Sequence, residues 1–139
     1  FILFHTAEQV GHQYTGKGHT GPEDAAAFCM NHPQIKVVFA HFGGGLWAYE
    51  SMPEMKLALS NAYYDTAAWP WLYSHKVIEG IFAAGAGSKV LFESDWPILQ
   101  YPRYENLLSL TGLSQGQKEI LLCHNVRDFL SSADHDQDI

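Results

Sequence analysis

Three features of the chain predict an α/β fold on a parallel sheet. Short apolar runs recur, a stretch of helical character follows each, and a polar residue stands at or just past the end of every run. The runs are Phe1-Ile2-Leu3-Phe4, Lys36-Val37-Val38-Phe39-Ala40, Ala62-Tyr63-Tyr64 and Lys89-Val90-Leu91-Phe92, at intervals of about 25 to 36 residues, the pattern of βαβ units. Their unbroken apolar character suits strands covered on both faces. The polar residues at their ends are His5, His41, Asp65 and Asp95, at the strand end where parallel α/β proteins place their chemistry.

The helices follow from caps and breakers. Thr20-Gly21-Pro22-Glu23-Asp24 opens an Ala-rich helix that reaches about Met30 and stops at Asn31-His32-Pro33; Pro suits the first turn, and the acids favour its positive end. Gly43-Gly44-Gly45 breaks the second run, and helical spacing then covers Leu46 to Leu59, with Pro53 starting a second helix after a turn. An aromatic loop, Trp69-Pro70-Trp71, leads to a helix from about Leu72 to Ala84 that ends at Gly85 and Gly87. Helices near Tyr104 to Leu110 and Ser114 to Cys123 follow, then a last turn from Val126 to Leu130. Residues 132–139 read as an acidic, disordered tail after a domain spanning 1–131.

Composition narrows the function. The chain has 139 residues, one small domain's worth, and a net charge of −7, so no basic face is available for nucleic acid. An apolar fraction of 47% with 14% aromatics excludes a disordered chain. No apolar run approaches the roughly 18 residues of a membrane span, and the start lacks the pattern of a signal peptide. Two cysteines, Cys29 and Cys123, make no disulfide framework and point to a reducing, cytoplasmic setting. The chain opens without Met inside an apolar strand, which reads as a fragment of a longer protein.

His5, His41 and Asp95 form the strongest chemical constellation. Imidazole nitrogen and carboxylate oxygen suit zinc and similar divalent ions, and a carboxylate beside metal-bound water can take its proton. Each alone also reads as a hydrogen-bonded structural residue.

Five stretches carry a family resemblance: Leu3-Phe4-His5-Thr6, Val37-Val38-Phe39-Ala40-His41-Phe42-Gly43-Gly44, Tyr63-Tyr64-Asp65-Thr66-Ala67, Val90-Leu91-Phe92-Glu93-Ser94-Asp95-Trp96-Pro97 and Asn125-Val126-Arg127. In this order they resemble the amidohydrolase-related (amidohydrolase 2) family of metal-dependent hydrolases and decarboxylases, which are (β/α)8 barrels. The resemblance implies that the four strands are the last four of such a barrel, the C-terminal half with four βα units. It implies His5 as a metal ligand, Asp95 as a ligand or as proton acceptor for metal-bound water, and His41 as a further ligand or an acid/base group. Asp65 and Thr66 match a strand-end motif that shapes the pocket, and Asn125 belongs to the closing helix. Hydrolysis of a small molecule by metal-activated water, with zinc as the metal, is the implied activity; nonoxidative decarboxylation of a small carboxylic acid is the alternative.

Two departures stand out. Glu93 occupies a position that is usually Gly in the family, and no His-x-His pair, the source of two ligands on the family's first strand, occurs in this sequence. A closed barrel takes about 250 residues, so the chain supplies about half. An open four-stranded half would expose two edges and an apolar inner face, and is expected to need its N-terminal half or to self-associate. An inactive fragment is the second class of reading.

The loop Gly11-His12-Gln13-Tyr14-Thr15-Gly16-Lys17-Gly18 approaches a phosphate-binding pattern but has Gly18 where a hydroxyl is required. It reads instead as a loop over the barrel mouth, with Lys17, His12 or His19 available to an anionic substrate. Trp47, Tyr49, Trp69, Trp71, Tyr73 and Trp96 follow strand ends and either wall an apolar pocket or pack loops against helices. Of these, Trp69 and Trp96 join Lys17, Asp65 and Thr66 as the expected substrate contacts. Cys29 with His32, and Cys123 with His124, fall on helix ends away from the strand termini, and neither Ser51 nor Ser94 has a nucleophile-elbow context.

Overall fold

A computed structural model describes residues 1–134. Its four strands, β1 (Ile2–Phe4), β2 (Val37–Phe39), β3 (Ala62–Asp65) and β4 (Val90–Leu91), form one sheet in chain order. All three pairings are parallel, with Phe4 opposite Phe39, Phe39 opposite Tyr64 and Tyr64 opposite Val90. The sheet is that of the predicted four βα units.

Helix α1 (Pro22–Asn31) starts at the proline, and the Asp24 carboxylate reaches back to the Gly21 N–H at 3.1 Å, so one orphan donor of the first turn is satisfied. After β2 come a short turn, α2 (Ala40–Gly43), a 3-10 segment (Leu46–Ser51) and α3 (Pro53–Ala58), which begins at Pro53 as expected. Trp69-Pro70-Trp71 is a single helical turn, α4 (Trp69–Leu72), rather than a loop, and α5 (Lys76–Ala83) follows after a break, so the one helix expected from Leu72 is divided. Beyond β4 lie α6 (Tyr101–Leu110) and α7 (Gln115–Glu119), the latter opened by a Ser114/Gln117 capping box. A π-helical turn (Ile120–His124) then runs into α8 (Asn125–Asp134). Residues 132–134, assigned from sequence to a disordered tail, therefore belong to a helix, because the 3.6-residue periodicity that begins at Asn125 continues through Ser132. The remainder of that tail, 135–139, lies outside the described residues.

Alternation along each strand divides the sheet into two faces. Val37, Phe39, Ala62, Tyr64 and Val90 belong to the main core with Cys29, Leu46, Ile78 and Ile81 from the surrounding segments. Buried within this core, Glu50 accepts hydrogen bonds from Tyr64 Oη and Lys89 Nζ, both at 2.8 Å, and Lys89 also bonds the Leu59 carbonyl. Val38 and Leu91 face the other way and form a second cluster with Phe129 of α8. The Phe129 ring packs edge-on against Tyr63 at 4.7 Å and Phe1 at 4.9 Å. Asn125 anchors the start of α8 by donating to the carbonyls of Gly87 and Val90. At the sheet edge Phe1 and Leu3 keep 67% and 63% of their surface exposed, which is the open apolar edge expected of a half-barrel.

Because Phe129 is the buried residue that α8 contributes to this inner face, Phe129→Ala should lower unfolding free energy by about 3 kcal/mol. Leu130→Ala, on the exposed side of the same helix, should change it by less than about 0.5 kcal/mol. Urea denaturation of the two variants measures both.

Candidate active site at the strand ends

Polar groups tie the four strands together just beyond their ladders. Thr6 Oγ1 donates to the Ala40 carbonyl, joining β1 to β2. Asp65 Oδ1 accepts the His41 N–H at 2.8 Å and the Ala67 N–H at 3.0 Å, joining β3 to β2. Thr66 Oγ1 donates to the Glu93 carbonyl and accepts its N–H, joining β3 to β4.

These ties set the backbone that carries the candidate residues. Every residue from His41 to Gly45 has positive φ, a left-handed run that costs about 1–2 kcal/mol for each residue bearing a side chain. Glycine is required at Gly44, where a Cβ would lie 2.9 Å from the Ala7 carbonyl oxygen. His41 is buried, and its Nδ1 lies 3.0 Å from the Ala67 carbonyl. Asp95 also has positive φ, and its N–H bonds Glu93 Oε1 at 3.1 Å. Glu93 thus braces the turn that presents Asp95.

A cavity of about 420 Å³ opens at this rim, with His5, His41 and Asp95 in its wall. The His5 and His41 rings meet edge-on at 5.1 Å. Tyr14, Ala68, Trp71, Leu72 and Ile98 supply the apolar wall, and His12 and Thr15 complete it. The glycine-flanked loop therefore does reach the mouth, but through His12, Tyr14 and Thr15. Tyr14, Thr15 and Ile98 were not legible as wall residues; the only sequence signal was the loop's position after a strand.

The three candidate chemical residues are brought together, whereas the five expected substrate contacts are not. Asp65 and Thr66 are sealed from solvent by the backbone groups they bind. Trp69 is fully buried in the core, edge-on to Phe42 at 5.9 Å. Lys17 Nζ bonds the Val10 and His12 carbonyls, closing its own loop beside a separate hollow. Trp96 is 79% exposed and outside the cavity wall. Trp71, the other aromatic of the same turn as Trp69, takes the wall position instead.

The donor chemistry of His5, His41 and Asp95 suits a divalent ion. Among the described residues, however, no three His, Cys, Asp or Glu side chains gather closely enough to hold one.

Loss of water around the His5 ring lowers its pKa, and neighbouring His41 lowers it further; Asp95 and Glu8 pull the other way. Burial is the main cause that pushes the Asp65 carboxyl up to about 7, against the hydrogen bond from His41.

A family model for amidohydrolases (the amidohydrolase 2 group) matches residues 1–131, and the chain belongs to that family. No curated protein matches it. Its fold is similar to a 2,6-dihydroxybenzoate decarboxylase from Rhizobium, at 13% identity and TM-score 0.64, over 94% of this chain and 51% of that one. It is also similar to a dihydroxybenzoic acid decarboxylase from Polaromonas with bound manganese, at 14% identity and TM-score 0.62, over 82% of this chain and 42% of that one. An amidohydrolase from Burkholderia multivorans with bound zinc matches at 16% identity and TM-score 0.53, over 76% and 47% of the two chains. The chain spans about half the length of these structures. Among the described residues, no helix is long and apolar enough to cross a membrane.

Two titrations test the electrostatics. The folded Asp65 carboxyl binds its proton more tightly than the unfolded one, so its contribution to stability is full below pH 4 and is lost as pH rises through about 7. Asp65→Asn should therefore flatten the fall in melting temperature between pH 5 and pH 8. For His5, removing the neighbouring charge in His41→Ala should raise the NMR titration midpoint toward 6.5, and Asp95→Asn should lower it further; a midpoint unmoved in both would show that the three groups do not share one environment.

Proposed function

We propose that this chain furnishes the C-terminal half of the active-site rim of a metal-dependent (β/α)8 hydrolase acting on a small molecule. The observation that carries the reading is the meeting of His5, His41 and Asp95, from three different strand ends, in one cavity. In this reading Asp95 takes the proton of the attacking water, and His41 steadies the substrate or gives a proton to the leaving group. His5, Asp95 and, in part, His41 would hold a divalent ion, zinc in our reading, together with donors from a complementary half-barrel; the ion supplies Lewis-acid activation when bound. The complementary half would also cover Phe1 and Leu3 at the open edge.

The apolar wall of Tyr14, Trp71, Leu72 and Ile98 favours a second reading, nonoxidative decarboxylation of a small aromatic acid. The carbon–carbon bond to the carboxylate then breaks, its electron pair stays on the ring carbon, and His41 delivers the proton there while CO2 leaves. The hydroxybenzoate decarboxylases among the similar structures add support for this choice of substrate class.

Co-expression with a complementary half-barrel bearing a His-x-His strand is the test. The expected product is a one-to-one complex with near-stoichiometric metal that His5→Ala and Asp95→Ala each reduce at least tenfold. Metal content unchanged in both variants, or no complex with any such half, would overturn the proposal in favour of an inactive fragment. With the complex in hand, CO2 release from a hydroxybenzoate separates decarboxylase from hydrolase.

A further inference from the structure

We infer that Asp65 is a positioning residue that fixes which nitrogen of His41 faces the cavity. The inference deepens the reading of His41 as the acid/base group and rests on that reading for its functional meaning. A closed ring of contacts carries it. Asp65 Oδ1 accepts the backbone N–H of His41 at 2.8 Å and that of Ala67 at 3.0 Å, and the Ala67 carbonyl lies 3.0 Å from His41 Nδ1.

A carbonyl oxygen only accepts hydrogen bonds, so Nδ1 must carry the ring hydrogen of neutral His41. Nε2 is then the nitrogen with a free lone pair, and with Nδ1 engaged by Ala67 it is the one left to the cavity that His41 lines. In water a histidine side chain prefers the opposite form, with hydrogen on Nε2, so the protein must impose the arrangement. Asp65 imposes it twice over. It holds the left-handed backbone of His41 (φ 58°, ψ 48°), a conformation that persists only where its surroundings over-determine it, and it holds the N–H of Ala67, the residue whose carbonyl engages the ring. Asp65 itself is buried and absent from the cavity wall, so it acts through His41 and not on a substrate.

Asparagine keeps an acceptor oxygen in the position of Oδ1, whereas alanine removes it. Long-range proton–nitrogen NMR spectra of the ¹⁵N-labelled chain, recorded at alkaline pH where the ring is neutral, report the ring form directly. The expected result is hydrogen on Nδ1 in the wild-type chain and in Asp65→Asn, and a shift toward the Nε2 form in Asp65→Ala. Hydrogen on Nε2 in the wild type, or an unchanged Nδ1 form in a folded Asp65→Ala, overturns the inference. If Asp65→Ala does not fold, hydrogen exchange decides: the His41 amide should be protected in the wild type and in Asp65→Asn, and exchange at the rate of an open loop in either overturns it. These readouts need neither metal nor turnover. A failed activity assay beside an intact Nδ1 form would therefore count against the proposed function alone.

Discussion

Asp65, Thr6 and Thr66 bind backbone groups of the neighbouring strand just past the last ladder hydrogen bonds, and the placement of the chemical residues depends on these ties. A parallel sheet ends in free amides and carbonyls, and where they are buried each must find a partner. Here the partners are side chains of the next strand. That solution draws β1 to β2, β2 to β3 and β3 to β4 at the rim, and it leaves the backbone after β2 and β4 in left-handed turns that present His41 and Asp95.

The two faces of the sheet divide the remaining work. The helix-covered face carries the large apolar core and one buried polar group of three, Tyr64, Glu50 and Lys89. Removing Glu50 alone would leave the Lys89 ammonium with the Leu59 carbonyl but without its counter-charge, which makes the trio costly to dismantle piecemeal. The opposite face holds few residues and relies on Phe129. Stability is therefore concentrated on the helix side, while the chemical residues sit at an end of the sheet that contributes little to it. Substitutions at the rim and in the core should accordingly separate in their effects on binding and on folding.

Much of the scaffold was legible because its causes are local. Unbroken apolar runs mark the strands, covered on both faces at β2 but left exposed at the edge strand β1, and Pro22 and Pro53 mark helix starts in the sequence and in the structure alike. The placement of His5, His41 and Asp95 at one cavity was legible, since position at a strand end is nearly sufficient to place a side chain at the rim. It failed at Asp65 and Thr66 because a polar residue there has two possible partners, the cavity or the next strand's backbone, and only the register decides between them. It failed at Trp69 and Trp71 for a different reason. They stand two residues apart on one helical turn, which sends the two rings to opposite sides, one buried and one exposed, and composition does not say which is which. The open edge followed from the half-barrel count.

Strand order equal to chain order also has a kinetic meaning. Each strand pairs with the one that emerged before it, across spans of about 25 to 35 residues, and loop-closure entropy grows so slowly with length that the three closures cost nearly the same. Among these four strands no pairing waits for a distant segment. The four strands can thus pair stepwise, in chain order. The exception is Phe129, which follows all four strands in the chain and groups with Phe1, Val38, Tyr63 and Leu91, so the face that α8 covers stays open to other apolar surfaces until α8 has formed.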